Sequence, residues 1–210
     1  MMLPLLSTAY LPPVEYFAAI AKYGGAILEA HENYQKQSWR NRCTILTANG
    51  KENLNIPVLR GGDNHTHTVP ISEIEIDYQE NWPVRHLRAM EAAYMNSPFF
   101  EYYADDISAI LLSHEKHLFT LNRNLLELLL SFCGIKAQIS LTEDYVKDNL
   151  NQYLDLRTRI HPKSKLPSLL KEWGKEKPWW QQFATQGFVP NLSIVDLLFN
   201  EGPNAISFLI

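Results

Sequence analysis

A chain of 210 residues, 46% hydrophobic and 20% charged, is long enough to bury one sizeable core. Its formal charge of −4 and pI near 6.0 exclude a general nucleic-acid binder, which would carry a basic balance or a basic stripe. No apolar run approaches the ~20 residues that span a bilayer, because the densest, Leu125 to Phe132, is interrupted by Glu127. The opening Met1-Met2-Leu3-Pro4-Leu5-Leu6 lacks the basic segment of a secretory signal, so the expected compartment is the cytoplasm. Cys43 and Cys133 lie far apart and fit buried, reduced thiols better than a disulfide.

In chain order, Leu3 to Leu6 reads as a strand. It runs through Ser7-Thr8-Ala9-Tyr10 and Pro12-Pro13 into a helix carrying Val14, Phe17, Ala18, Ile20 and Ala21, closed by Gly24-Gly25. Free N–H groups at that helix start, with the Ser7 and Thr8 hydroxyls, make either an anion site or a plain strand-to-helix connection. Ala26 to Ala30 reads as a second strand. Cys43 to Ala48 and Asn53 to Leu59 form a hairpin about Asn49-Gly50. Gly61 to Thr68 is a loop, and Ile71, Ile74 and Ile76, flanked by Glu73, Glu75 and Asp77, suit a half-exposed strand. After Trp82-Pro83 the pattern turns helical. One helix carries Leu87, Met90, Ala93 and Tyr94, a short one follows Ser97-Pro98, and a long amphipathic one spans His117 to Cys133 and stops at Gly134. Ala137 to Leu141 alternates like an edge strand, Tyr145 to Ile160 reads as helix, and His161 to Pro178, rich in lysine and proline, as surface linker. Ser193 with Asp196 resembles a capping box, and Gly202-Pro203 is a stop.

The densest chemistry lies between Glu29 and Cys43. Arg40 and Arg42 stand two apart, so on an extended strand they would share a face and grip one phosphate or carboxylate. Five basic residues (Lys36, Arg40, Arg42, Lys51, Arg60) face two acidic ones (Glu32, Glu52) between His31 and Gly62, which favours an anionic small-molecule ligand. Ordinary ion pairing with Glu29 or Glu32 is the alternative. His31 beside Glu29 and Glu32 suits a general base held in one tautomer, or a structural histidine. Tyr34 and Trp39 suit a stacking floor for a sugar, or core. His65 with His67, and His114 with His117 one helical turn apart, each offer two metal ligands. Zinc wants a third and fourth that nothing in the sequence fixes, so neither a metal nor a cofactor is expected.

Three ordered motifs resemble the WbqC-like protein family: Tyr10-Leu11-Pro12-Pro13 followed by Tyr16-Phe17, Tyr34-Gln35-Lys36-Gln37-Ser38-Trp39-Arg40-Asn41-Arg42, and the C-terminal Phe188-Val189-Pro190-Asn191-Leu192-Ser193-Ile194-Val195-Asp196-Leu197-Leu198-Phe199-Asn200-Glu201-Gly202. The resemblance implies a role in bacterial surface-polysaccharide (O-antigen type) biosynthesis, with transfer of glycine or a similar group onto a sugar. It also implies that Tyr10, Asn191, Ser193 and Asp196 serve the site, although for the last three the residue types equally suit a helix start.

The expectation is therefore an α/β (or α+β) protein, one domain over 1–210. A small mixed sheet from residues 1–78 is covered by mostly helical 79–210, and the C-terminal motif returns to the first strand. The expected function is an aminoacyl or acyl transferase acting on a sugar or nucleotide sugar, with His31, Glu29 and Glu32 catalytic. Arg40, Arg42, Tyr34, Trp39, Ser7, Thr8, Tyr10, Asn191, Ser193 and Asp196 would bind ligand. The rival is a non-catalytic sugar-nucleotide or partner-binding module.

Overall fold

Leu5 and Leu6 are completely buried, as befits a strand covered on both faces. They belong to β1 (Pro4–Ser7), which the computed structural model, describing residues 2–59, 68–147 and 152–210, sets at the centre of a four-stranded sheet. The chain continues through α1 (Val14–Tyr23), β2 (Gly25–Glu29), β3 (Arg42–Thr47), β4 (Gly50–Asn55), α2 (Trp82–Tyr94), α3 (Phe100–Leu111), α4 (Leu118–Phe132), β5 (Gln138–Leu141), β6 (Leu154–Asp155), α5 (Leu169–Glu172), α6 (Ile194–Glu201) and α7 (Ile206–Leu209).

The sheet runs in the order β5-β2-β1-β6 and every pair in it is parallel, with Leu5 opposite Ile27 on one side and Asp155 on the other. β3 and β4 form a separate antiparallel hairpin where the sequence predicts one, but it turns at Ala48-Asn49, with Gly50 already paired to Thr47, and its second strand is Gly50–Asn55 instead of Asn53 to Leu59. The fold is thus α/β, with helices mostly in the later part. The parallel sheet and the hairpin are two sheets, and β5 and β6 reach the parallel one from the second half of the chain. One continuous core joins them, with α1 buried almost all round between the sheet and α5, α6 and α7. Gly24 closes α1 at φ 70°, and Gly25 cannot carry a side chain, because a Cβ there would stand 2.6 Å from the Gln138 carbonyl oxygen of β5.

Several sequence expectations change. Tyr145 to Ile160 is not a helix over its described part. Leu154 and Leu156 alternate with Asp155 and Arg157, and their N–H groups donate to Leu3 O (3.0 Å) and Leu5 O (2.9 Å), extending the sheet as β6. The isoleucines Ile71, Ile74 and Ile76 are all buried but form a 3₁₀ turn (Ile71–Glu73) and isolated bridges rather than a strand in a sheet. His114, at φ 55°, and His117, which precedes α4, lie in a loop, so their rings do not share a helical face. The His161–Pro178 stretch carries α5, whose Leu169 and Leu170 are buried. His65 and His67 lie outside the described residues. Cys43 and Cys133 are both buried and unpaired.

The C-terminal motif does return to the turn after β1. Val14 N donates to Leu192 O (3.0 Å), Ile194 N to Pro12 O (2.8 Å) and Ser193 N to Thr44 O (2.8 Å). Ser193 is not a capping-box serine, since its Oγ donates to Leu11 O (2.8 Å). Asp196 turns away from the helix start into the core, where Tyr94 Oη (3.0 Å), Trp179 Nε1 (2.8 Å) and Gln181 Nε2 (2.7 Å) all donate to its carboxylate. Burial pushes the Asp196 pKa up, against these donors. Asp196→Asn puts an amide N–H against one of the donors in a fully buried position. Urea denaturation is expected to show about 2 kcal/mol of destabilisation, the cost of one unsatisfied buried group.

Candidate functional site

All four parallel strands present their carboxyl ends on one side, ending in Ser7, Glu29, Leu141 and Asp155. The chain steps from β1 to β2 and β5 on one flank before β6 returns to the other. That reversal of order opens the kind of crevice in which α/β sheets bind ligands. A cleft of about 720 Å³ lies there, lined by His31, Glu32, Tyr34, Arg40, Tyr145 and Arg157 among others. Its volume is that of a small-molecule site.

Two ionic networks form the floor. Arg40 sits on a 3₁₀ turn (Trp39–Asn41) whose preceding residue, Ser38, caps it. Asn122 of α4 donates to the Arg40 carbonyl at 2.7 Å. The guanidinium grips Glu32 through Nε (2.9 Å to Oε1) and Nη2 (to Oε2), and Nη2 also donates to Ser7 Oγ (2.9 Å), which in turn donates to Glu32 (3.0 Å). Arg40 is 5% exposed and Glu32 6%, so this is a buried pair. Burial pushes the Glu32 pKa up, while Arg40 and Ser7 pull it back. The loop holding Glu32 is pinned from outside, with Tyr34 N donating to Val69 O (2.9 Å) and Ile71 N to Glu32 O (2.8 Å).

The second network centres on Glu29, which is fully buried. Its Oε1 accepts from Thr142 Oγ1 (2.8 Å) and the His31 N–H (2.9 Å), its Oε2 from Val146 N (2.9 Å) and Arg157 Nη1 (3.1 Å). Arg157 also holds Asp155 in a fork, with Nη2 to Oδ2 at 2.7 Å. Those hydrogen bonds raise the Arg157 pKa above the usual arginine value. Burial opposes them at Asp155, whose pKa nevertheless stands below the usual aspartate value because the Arg157 bonds outweigh it.

Neither Glu29 nor Glu32 reaches the His31 ring. That imidazole is exposed, and its Nε2 faces the Thr142 carbonyl at 3.2 Å, which makes Nε2 the protonated nitrogen and leaves Nδ1 as the basic one. Arg40 and Arg42 do not share a face. The 3₁₀ turn breaks the strand periodicity between them, and Arg42 opens β3 and lines a neighbouring cleft of about 710 Å³, which shares Tyr34 and Lys36 with the first. Ser7, Thr8 and Trp39 line a narrow gap behind Arg40.

The other expected ligand contacts are engaged elsewhere. Tyr10 is completely buried, its hydroxyl 2.9 Å from His86 Nδ1. The start of α1 offers no free anion site at its first N–H groups, because Val14 N meets Leu192 O and Glu15 N meets Asn191 Oδ1 (3.0 Å). Asn191, Ser193 and Asp196 line neither cleft. Sequence reasoning missed Thr142, Tyr145, Asp155 and Arg157, all hidden by the helix assigned to Tyr145–Ile160 or by the short strand before it. The available signal was the alternation of Leu154 and Leu156 with Asp155 and Arg157.

The model of the WbqC-like protein family matches residues 8–166 and 170–208, and the chain belongs to that family. Among its relatives is a protein of Mycobacterium tuberculosis, Rv1507c, itself described as uncharacterized. The two are 29% identical over 229 aligned positions, covering 98% of this chain and 96% of that protein. No solved structure matches the chain. Among the described residues no helix is long and apolar enough to cross a membrane, and no group of three or more His, Cys, Asp or Glu side chains is placed to hold a metal ion.

Proposed function

We propose that the protein is a transferase of bacterial surface-polysaccharide (O-antigen type) biosynthesis, acting in the cytoplasm to move an aminoacyl or acyl group onto a sugar or nucleotide sugar in the cleft at the carboxyl ends of β1 and β6. The observation that carries this reading is His31, an exposed imidazole fixed in one tautomer by the Thr142 carbonyl at the rim of a cleft whose floor is rigidly hydrogen-bonded. Its Nδ1 takes the proton of an acceptor hydroxyl or amine as that group attacks the donor's acyl carbon; the bond from that carbon to the donor's leaving group then breaks, and the leaving group departs with the proton that His31 gives back. Tyr145, half exposed with the Arg157 guanidinium 5.4 Å from its ring centre, supplies the flat surface a sugar ring packs on, a role expected from the sequence for Tyr34, which is buried. Glu29 and Glu32 position the floor in this scheme.

A second reading, a non-catalytic module that binds a sugar nucleotide, draws on a different observation. Glu29, Glu32 and Asp155 are all engaged by hydrogen-bond donors, so none stands free as a base. One variant separates the two. His31→Ala is expected to abolish turnover and to leave ligand affinity within a few-fold if His31 is the base, whereas undiminished turnover removes it from that role. Thermal-shift titration with nucleotide sugars and with aminoacyl and acyl donors supplies the affinity, because a ligand that binds only the folded state raises its melting point with concentration. A ligand-dependent shift with no turnover in the native protein supports the module.

A further inference from the structure

We propose that the second cleft, between the β3–β4 hairpin and α2, is a phosphate subsite that takes the diphosphate of a nucleotide-linked ligand. The proposal deepens the reading above and rests on it only for what lies at the ligand's other end. The argument starts from a contrast among arginines. Arg40 and Arg157 are neutralised by carboxylates at close range. Arg42 has no ion pair among the described residues, and its Nε–H is buried without an acceptor. A buried guanidinium N–H left unpaired is costly, and such groups in folded proteins are nearly always satisfied. A bound anion would offset that cost through its charge, and the Nη groups of the same guanidinium, which are not buried, match two phosphate oxygens.

The surroundings add charge of the same sign. Lys36 is exposed and without an ion pair among the described residues. Among the described residues the Arg85 side chain is held only by Glu80, in a surface pair whose side chains are 59% and 74% exposed, a contact that contributes little and yields readily to a ligand. Against these three cations the lining has, among the described residues, a single carboxylate, Asp77, one oxygen of which accepts from the Gln79 N–H at 2.9 Å. An excess of positive charge in a chain of net charge −4 concentrates anions at that face. The cross-strand partner of Arg42 is Asn55, whose exposed amide adds a donor at the same wall.

Size and placement define the ligand further. The cleft of about 710 Å³ meets the His31 cleft of about 720 Å³ at Tyr34 and Lys36, so one molecule can cross that boundary with its diphosphate at Arg42 and its sugar at His31. The notion of a two-arginine clamp gives way to a division of labour, in which Arg40 holds the floor and Arg42 meets the ligand.

Isothermal titration of the whole chain with uridine diphosphate and, separately, with inorganic pyrophosphate tests this. Both probes are expected to bind, and Arg42→Gln to weaken both by tenfold or more, with affinity falling as salt rises. Lys36→Gln, at an exposed position where the fold tolerates change, is expected to weaken both several-fold. Lys175→Gln, at an exposed lysine lining neither cleft, is expected to change nothing. Circular dichroism establishes that each variant is folded. The subsite is overturned if neither probe binds at millimolar concentration, if only uridine diphosphate binds, if Arg42→Gln and Lys36→Gln bind like the native chain, or if Lys175→Gln weakens binding equally. Binding that depends on Arg42, in a protein with no turnover toward any donor, keeps the subsite and removes the transferase reading. Failure of the subsite leaves the His31 test standing.

Discussion

Replacing Arg40 with methionine is expected to lower the unfolding free energy by about 3–5 kcal/mol, the range for removing one partner of a buried ion pair. The size follows from what is left behind. Glu32 and Arg40 are each about one-twentieth exposed, and three guanidinium hydrogen bonds end on the carboxylate and the Ser7 hydroxyl that also serves it. Without Arg40 the carboxylate keeps its burial and loses its counter-charge, so it protonates more readily. The sign follows from that. A folded-state pKa raised above the unfolded value contributes stability at low pH that is lost as pH rises through it, so the deficit of Arg40→Met shrinks on acidification. Adding Glu32→Leu is expected to recover most of the loss, since an apolar pair of similar volume costs little once both charges are gone. Urea denaturation of the two variants at pH 7 and pH 5 provides the measurement. A single variant within about 1 kcal/mol of the native chain, or a double variant no better than the single, overturns the account.

The local elements were legible where a short-range rule governs. Asn49-Gly50 named the hairpin, Gly134 the end of α4, and the Pro-to-Gly span the first helix. What escaped was set by tertiary partners. Leu154 to Arg157 carries only a two-residue strand, too short for periodicity to declare itself, and it becomes one because Leu3 and Leu5 present carbonyls to it. The three isoleucines after Pro70 have the composition of a strand, but Ile71 opens a 3₁₀ turn that pins the Glu32 loop, Ile74 ends that turn, and Ile76 makes an isolated bridge to Val58.

At the candidate site, the sequence picked out the charged residues between Glu29 and Arg42 but not their wiring. Nothing local says that the Glu29 carboxylate belongs to Arg157, 128 residues away, or that Arg40 turns back to Glu32 while Arg42 faces the other cleft. The residues of the C-terminal motif illustrate the same limit. Asn191, Ser193 and Asp196 are polar residues near a helix start, and their polar atoms tie α1, the turn after β1 and the Trp179 segment together.

The largest pH effect assigned to one group is expected at His86, on the helix that backs the hairpin cleft. Its ring lies edge-on to Trp82 (5.0 Å between centres), Tyr10 Oη stands 2.9 Å from Nδ1, and the Asn55 backbone accepts on its other side. Burial dominates this setting, aided by the Arg85 charge, and pulls the His86 pKa down to about 4, although the Asn55 bond opposes it. The unfolded chain protonates its histidines near 6.5, so between that pH and about 4 it binds a proton the folded state refuses. Stability is therefore lost as pH falls through this window, by about 3 kcal/mol for a separation of this size. The raised carboxylates Glu15, Glu32 and Asp196, whose shift in each case comes first from burial, act in the opposite sense. A native profile alone would thus blur the effect, and the difference between the native chain and His86→Gln isolates it. That difference, from urea denaturation at pH 7 and pH 4, is expected to move by about 3 kcal/mol in favour of the variant at the lower pH. A difference that stays constant would mean His86 charges freely in the folded state.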